Sequence, residues 1–349
     1  MKKSDIVELI KAHIYNNEAT FTSIAYEIAR EFNNSGDREL SDYILSLLAS
    51  GSTFVHQSQK VESSYFFELS YSRESLYLPD VIKNDLLGIA NAIKKNNGVN
   101  KFLFEGEPGT GKTESVKQLA RMLNRKLYSV NFDMIVDSRL GQTSKNITSL
   151  FQEMNNISRP AEVIILFDEI DALALDRVNG NDLREMGRAT SSLLKSFDNL
   201  NENLILIATT NLYKAFDKAL TRRFDAVINF NRYSREDIFN IADKIVEEQY
   251  NKFGTISKNS RLLHKILDLS DSTIMPGELK NVIKTSIAFS NPGSQTDYLK
   301  RIYKSVCTKK IDNEIEFLSK KGFTCREIEI LTDISKSEIS RKQNSKRGN

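Results

Sequence analysis

From the start of the chain to about residue 60, apolar side chains return every three or four positions: Ile6, Leu9, Ile10 and Ile14, then Phe21, Ile24, Ala25, Ile28 and Ala29. Such spacing lines one face of a helix with groups that avoid water, so two amphipathic helices are expected. The run "NNSGDRELSDYILSLLAS" adds a turn, a capped start near Ser41 or earlier, and a further helix. Residues 1–60 therefore read as a small helical N-terminal domain. The polar stretch "GSTFVHQSQKVESS" (51–64) then breaks the periodicity, and residues 61–74 read as a linker.

Over residues 75–230 short apolar runs alternate with helical stretches. "KFLFEG" (101–106), "KLYSVNF" (126–132), "EVIILFDE" (162–169), "NLILIATT" (203–210) and "DAVINF" (225–230) have strand character. Several are apolar throughout, as strands covered on both faces must be. The helical segments between them call for crossover connections. This predicts an α/β fold, a parallel five-stranded sheet with helices on both faces. After Asn231 the strands stop. "SREDIFNIADKIVEEQY", "RLLHKILDLS" and "GELKNVIKTSIAFS" make 231–300 helical, and a helical tail occupies 301–349.

Composition narrows the class. In 349 residues, 40% are hydrophobic and 27% charged, the ordinary balance of a soluble globular chain. No apolar run approaches the roughly 18–20 residues of a membrane span, so no membrane role is expected. "MKKSDIVELIKAHIYNNEAT" lacks the apolar core and cleavage site of a signal peptide and reads as an amphipathic helix. Cys307 and Cys325 have no His or Cys neighbours at metal-ligand spacing. Idle thiols in a reducing cytoplasm are the expectation, not a zinc site. The net charge of +3 is too small to argue for nucleic acid. From Arg301 to Asn349 there are 12 Lys or Arg against 7 Asp or Glu, a local +5 that a solvated terminus also explains.

The stretch "FEGEPGTGKT" (104–113) carries the first chemistry. Gly106, Gly111, Lys112 and Thr113 fit the spacing G-x-x-x-x-G-K-[ST], between a predicted strand and the helix "TESVKQLARML". The glycines let successive backbone N–H groups face phosphate oxygens at the positive end of that helix. The expected nucleotide-binding segment is Gly106, Glu107, Pro108, Gly109, Thr110, Gly111, Lys112, Thr113 and Glu114. Lys112 would meet the β- and γ-phosphates of ATP, and Thr113 would ligate Mg2+. A Gly-rich turn without a ligand is the bland alternative. "IILFDEID" (164–171) supplies the second half: an apolar strand ending in Asp168 and Glu169, 56 residues after Lys112. Asp168 would hold Mg2+ through water, and Glu169 would orient and deprotonate the attacking water.

With these motifs the sequence resembles the AAA+ ATPases, in the clade of membrane-protease ATPases, proteasomal ATPases and microtubule-severing or vesicle-recycling enzymes. The resemblance covers about residues 75–295. It rests on "GEPGTGKT", "ILFDEIDAL", "IATTN" and "ALTRRFD", in that order. It implies a P-loop nucleotide-binding subdomain over 75–230, a helical lid over 231–300, and ATP hydrolysis with Mg2+. Asn211 matches the sensor-1 position, which contacts the γ-phosphate and the water. Arg222 and Arg223 match the arginine-finger region, which in the family reaches the nucleotide of a neighbouring subunit. A homo-oligomer, usually a hexameric ring, is thereby implied. The family commonly separates two arginines by Pro-Gly, whereas here they are adjacent, and Arg223 directly before Phe224 is the closer match. Lys280, in "MPGELKNVIKTS" (275–286), lies where some members place a sensor-2 arginine; a solvated helix lysine fits equally.

What the motor would act on is less direct. In "DSRLGQTSKNI" (137–147), Leu140 and Gly141 match the family's pore loop, but Arg139 replaces its aromatic residue. The tail "GFTCREIEILTDISKSEISRKQ" (322–343) resembles a helix-turn-helix with Ile328, Leu331, Ile334 and Ile339 at its core positions. Ser335, Lys336, Ser337 and Arg341 would face a DNA groove, while Asp333 and Glu329 depart from the usual small residues. Two readings stay open. One is a ring that remodels or delivers a protein client; its domain order resembles bacterial ATPases often encoded beside subtilisin-like serine proteases, which implies a protease partner. The other is a DNA-directed ATPase that uses the tail.

Overall fold

The computed structural model describes residues 3–14, 18–38, 40–45, 63–70, 76–95, 98–137, 141–171, 183–213, 218–254, 256–270, 274–307 and 313–344. The chain divides into two units, Met1–Glu62 and Ser63–Asn349. The first holds α1 (Lys3–Ile14), α2 (Glu18–Asn34) and a helical segment at 40–45. Among its described residues the buried side chains are Ala12, Ile24, Ala25, Ile28 and Ala29, together with Ser41. On α2 these are the i, i+1, i+4, i+5 stripe that one helical face must contain.

The second unit opens with β1 (Phe66–Glu68) and α3 (Asp80–Lys95). There follow β2 (Lys101–Glu105), α4 (Lys112–Leu123), β3 (Lys126–Val130), α5 (Gln142–Asn155), β4 (Val163–Phe167), α6 (Leu183–Asp198), β5 (Ile205–Thr210), α7 (Lys218–Thr221) and β6 (Ala226–Asn229). These strands form one six-stranded sheet in the order β1-β3-β4-β5-β2-β6. Strands β2 to β6 run parallel to one another and occupy the five predicted segments.

The expected count of five, all parallel, is corrected by β1, which lies in the stretch read as linker and runs antiparallel to β3. Three residues are too few to show a period of two. What makes them a strand is the partner: Asn131 N–H donates to the Tyr65 carbonyl (2.7 Å) and Leu69 N–H to the Leu127 carbonyl (2.8 Å). Phe66 is buried edge-on against Tyr128, ring centroids 5.7 Å apart.

Both faces of the sheet are covered, which is why its strands are apolar at successive positions. On one face Phe102, Phe104, Ile164, Leu166, Ile205 and Ile207 share a core with Ile82, Leu86 and Ile89 of α3 and Val116 and Leu119 of α4. On the other, Phe167 meets Phe151 of α5 edge-on (5.8 Å) and Phe197 of α6 (6.2 Å). Phe197 in turn meets Phe224 at 5.3 Å.

After the sheet come α8 (Arg235–Phe253), α9 (Ser260–Leu267), α10 (Pro276–Ala288), α11 (Asp297–Val306), α12 (Glu314–Lys320), α13 (Cys325–Thr332) and α14 (Lys336–Asn344). One hydrophobic core runs through all of them, from Ile238 and Leu263 through Ile283 and Ile302 to Leu318, Ile328, Leu331 and Ile339. Helices α12 to α14 thus pack as part of the same helical body as α8 to α11. Asp333 ends α13 in the left-handed region (φ 61°), and its carboxylate pairs with Lys300. Glu329 Oε1 accepts the Lys336 N–H at 3.0 Å, so the residue that departs from the helix-turn-helix pattern caps the next helix.

Candidate nucleotide site

Strand order decides what meets at the carboxyl edge of the sheet. Because β5 lies between β4 and β2, the segments leaving those three strands converge there. The segment leaving β2 is the glycine loop. At Gly106 φ is 154°, and a Cβ would stand 2.9 Å from the Cβ of Phe230, so only glycine fits. The loop runs into α4, whose first residue, Lys112, is only 7% exposed. Its ammonium donates to the carbonyls of Gly106 (2.7 Å) and Glu107 (2.9 Å) and to Asn211 Oδ1 (2.6 Å). Burial holds its pKa below the ordinary lysine value, against the opposing pull of Asp168, Asp171 and Glu169.

Thr113 Oγ1 donates to Asp168 Oδ1 at 2.8 Å, and Thr209 Oγ1 donates to the same oxygen at 2.7 Å. Glu169 follows at the strand end with φ 53° and donates its N–H to Thr209 Oγ1 (2.8 Å). Its Oε1 accepts from Asn211 Nδ2 at 3.3 Å. Asn211 therefore bridges the lysine and the second carboxylate. Among the described residues no group of three or more His, Cys, Asp or Glu could hold a metal by itself. A hydroxyl and one carboxylate side by side do suit Mg2+, a hard cation that keeps waters and takes phosphate oxygens for its other ligands.

The helical body closes over the loop. Gly277 N–H, at the start of α10, donates to the Gly109 carbonyl at 2.8 Å. A Cβ on Gly277 would lie 2.9 Å from Gly109 Cα, so the approach is backbone on backbone. The Tyr233 hydroxyl donates to the Thr110 carbonyl (2.8 Å), and Asn231 Oδ1 accepts the Glu107 N–H (2.8 Å).

The structure thus brings Gly106, Glu107, Gly109, Thr110, Gly111, Lys112, Thr113, Asp168, Glu169 and Asn211 together. Pro108 is exposed on the loop, and Glu114 is exposed and paired with Lys117 (2.6 Å). Lys280 sits half-buried on α10, one turn beyond Gly277. Arg222 is exposed, whereas Arg223 Nε pairs with Asp198 Oδ1 of the same chain at 2.7 Å. Arg139 and Leu140 lie outside the described residues; Gly141 caps the start of α5. The sequence reading missed Thr209, Asp171, Asn231, Tyr233 and Asp198. Thr209 and Asp171 stand inside the quoted motifs "IATTN" and "IILFDEID", but only the fold shows what they touch.

A glycine loop between a central parallel strand and a helix, with an Asp-Glu pair on a nearby strand, defines a P-loop nucleotide-binding domain. Residues 102–232 match the model of the ATPase family associated with various cellular activities (AAA). An uncharacterized AAA family ATPase of Sinorhizobium fredii is 29% identical over 252 residues, 66% of this chain and 75% of that protein. A putative 26S proteasome regulatory subunit homolog of Methanothermobacter thermautotrophicus is 27% identical over 214 residues, 61% of this chain but only 55% of that protein. Among solved structures, a chain of the E. coli MS115-1 HORMA:CdnC:Trip13 complex superposes with TM-score 0.52 at 18% identity, covering 69% of this chain and 94% of that one. C. elegans PCH-2 gives TM-score 0.51 at 19% identity over 69% and 73%. At such identities the last two show a shared fold and nothing more.

Proposed function

We propose that the chain hydrolyses ATP in a ring of copies of itself and uses the energy to remodel or deliver a protein client. The observation that carries this is Asn211, hydrogen-bonded at once to Lys112 and to Glu169. One side chain thereby ties a phosphate-binding cation to a carboxylate positioned to act on water. In this reading the loop N–H groups and Lys112 bind the β- and γ-phosphates. Thr113 and Asp168 hold Mg2+, which when bound neutralises phosphate charge. Asn211 orients the attacking water, and Glu169 takes its proton. The start of α10 rests on the loop at Gly109.

Arg222 and Arg223 would act on the nucleotide of a neighbouring copy, with Arg223 leaving Asp198 to do so. A protein client is supported by the relative named for a proteasome regulatory subunit. A protease partner and a cytoplasmic location belong to the same proposal. Among the described residues no helix is long and apolar enough to cross a membrane. The DNA-directed alternative is not favoured, since none of these relatives is named for DNA.

The test is Glu169→Gln. The variant should bind ATP as the parent does, lose turnover about 100-fold or more, and accumulate as nucleotide-bound oligomer. Hydrolysis at the parent rate would refute the assignment.

A further inference from the structure

Asp171 has no place among the groups that would touch nucleotide, yet it is a carboxylate only 4% exposed. Its Oδ1 accepts the Thr210 hydroxyl, and its Oδ2 accepts the Asn211 N–H at 2.8 Å. A buried carboxylate is costly unless donors surround it. Here these two donors come from consecutive residues of one neighbouring segment.

That segment is where the sheet stops holding the chain. The β4–β5 ladder ends at the pair Phe167 and Ala208, and the β2–β5 ladder at Glu105 and Thr210. Asn211 lies beyond both, so no strand partner orients it. In place of a ladder, Ile170 N–H donates to the Thr209 carbonyl (3.0 Å) and Glu169 N–H to Thr209 Oγ1 (2.8 Å). Asp171 completes this lacing at its far end, where it accepts the main-chain N–H of Asn211. The Asn211 side chain needs that support, because it must present oxygen to Lys112 and nitrogen to Glu169 together.

We propose that Asp171 is a positioning residue that acts through Asn211: it fixes the backbone from which Asn211 bridges Lys112 and Glu169. The proposal rests on the ATPase reading above. It is distinct from a role for Asp171 as a negative charge near Lys112, and shape-conserving substitution separates the two. In Asp171→Asn the charge is gone, but one oxygen still accepts the Asn211 N–H and the amide NH2 can meet the Thr210 hydroxyl oxygen.

The experiment measures steady-state ATP hydrolysis and the dissociation constant for a fluorescent ADP analogue in Asp171→Ala, Asp171→Asn, Asn211→Ala and the double Ala variant. Positioning predicts that Asp171→Ala lowers kcat about 10-fold or more with affinity within about 3-fold, and that Asp171→Asn recovers most of the loss. It also predicts that the double variant is within about 2-fold of Asn211→Ala, because both changes remove one function. Independent, multiplying losses would overturn the idea, as would Asp171→Asn no better than Asp171→Ala, or affinity falling in step with kcat. If Asp171→Ala fails to fold, Thr210→Val removes one of the two donors and carries the same test: a lower kcat, not additive with Asn211→Ala, is expected, and an unchanged kcat overturns the idea. A parent chain without ATPase activity would sink both readings. Hydrolysis that Glu169→Gln abolishes, together with an additive Asp171 effect, would sink this one alone.

Discussion

The ammonium of Lys112 and the side-chain oxygen of Asn211 meet at 2.6 Å across 99 positions of sequence. The contact exists because β5 was laid beside β2, and it gives Asn211 a duty at each end. Removing it in Asn211→Ala leaves Lys112 its two carbonyl acceptors. Nucleotide affinity should change little, while turnover falls about 10- to 100-fold. Single-turnover hydrolysis alongside equilibrium binding checks this, and an affinity loss as large as the rate loss would contradict it.

Lys112 should make nucleotide affinity sensitive to alkaline pH. Burial lowers its pKa from the ordinary 10.5, so the neutral amine becomes populated earlier than in an exposed lysine. Phosphates favour the charged form. Affinity is therefore full below the lowered pKa and declines as pH rises through it, with proton uptake on binding in that window. Calorimetric titration in buffers of different ionisation enthalpy reads the uptake, and Lys112→Ala should abolish it along with at least about 10-fold of affinity.

Gly277 and Gly88 make a matched pair. A Cβ at Gly277 meets the backbone of Gly109 at 2.9 Å, whereas nothing lies within 4 Å of one at Gly88, in the middle of α3. Gly277→Ala should push α10 off the loop and reduce both nucleotide affinity and turnover. Gly88→Ala should leave activity intact and raise stability by about 0.5–1 kcal/mol through helix propensity. Thermal unfolding with and without nucleotide distinguishes the two.

The tail should behave as structure. Ile328 is fully buried in the helical body, so Ile328→Ala should cost about 2–4 kcal/mol in chemical denaturation. Lys336→Ala with Arg341→Ala, both exposed, should leave stability within about 0.5 kcal/mol. Salt-dependent DNA binding lost in that double variant would revive the DNA-directed reading.

Arg223→Ala should be inactive alone and partly rescued when mixed with Lys112→Ala subunits, which keep the arginine but not the site. Activity of the parent as a strict monomer at high dilution would defeat the shared-site argument. Asp198→Ala frees Arg223 from its own chain, and its effect on assembly tells whether that ion pair holds the arginine in reserve.

Much of this was legible in one dimension. The five parallel strands announce themselves because strands covered on both faces show short, mostly apolar runs. The glycine loop does so because phosphate binding needs a fixed covalent spacing from Gly106 to Thr113. The left-handed turn at Asp333 could also be foreseen, since Asp tolerates that conformation. All of these are local: each depends on residues within a few positions of one another. β1 was not legible, because three residues have no period and Phe66 becomes strand only against β3. The packing of the tail on α8 to α11 was not legible either, since Ile328 and Leu331 show the same helical stripe whether they pack on a free hairpin or on α11.

The pattern along the chain thus marked the five parallel strands, the helices between them and the residues of the candidate site. Folding decided which of them touch. Propensity and periodicity are set by neighbours a few bonds away, whereas the meeting of Lys112, Asp168 and Asn211, the hold of Asp171 on Asn211, and the pairing of Arg223 with Asp198 all depend on strand order and helix docking. Those follow from burying both faces of the sheet at once, a nonlocal condition satisfied only by the assembled chain.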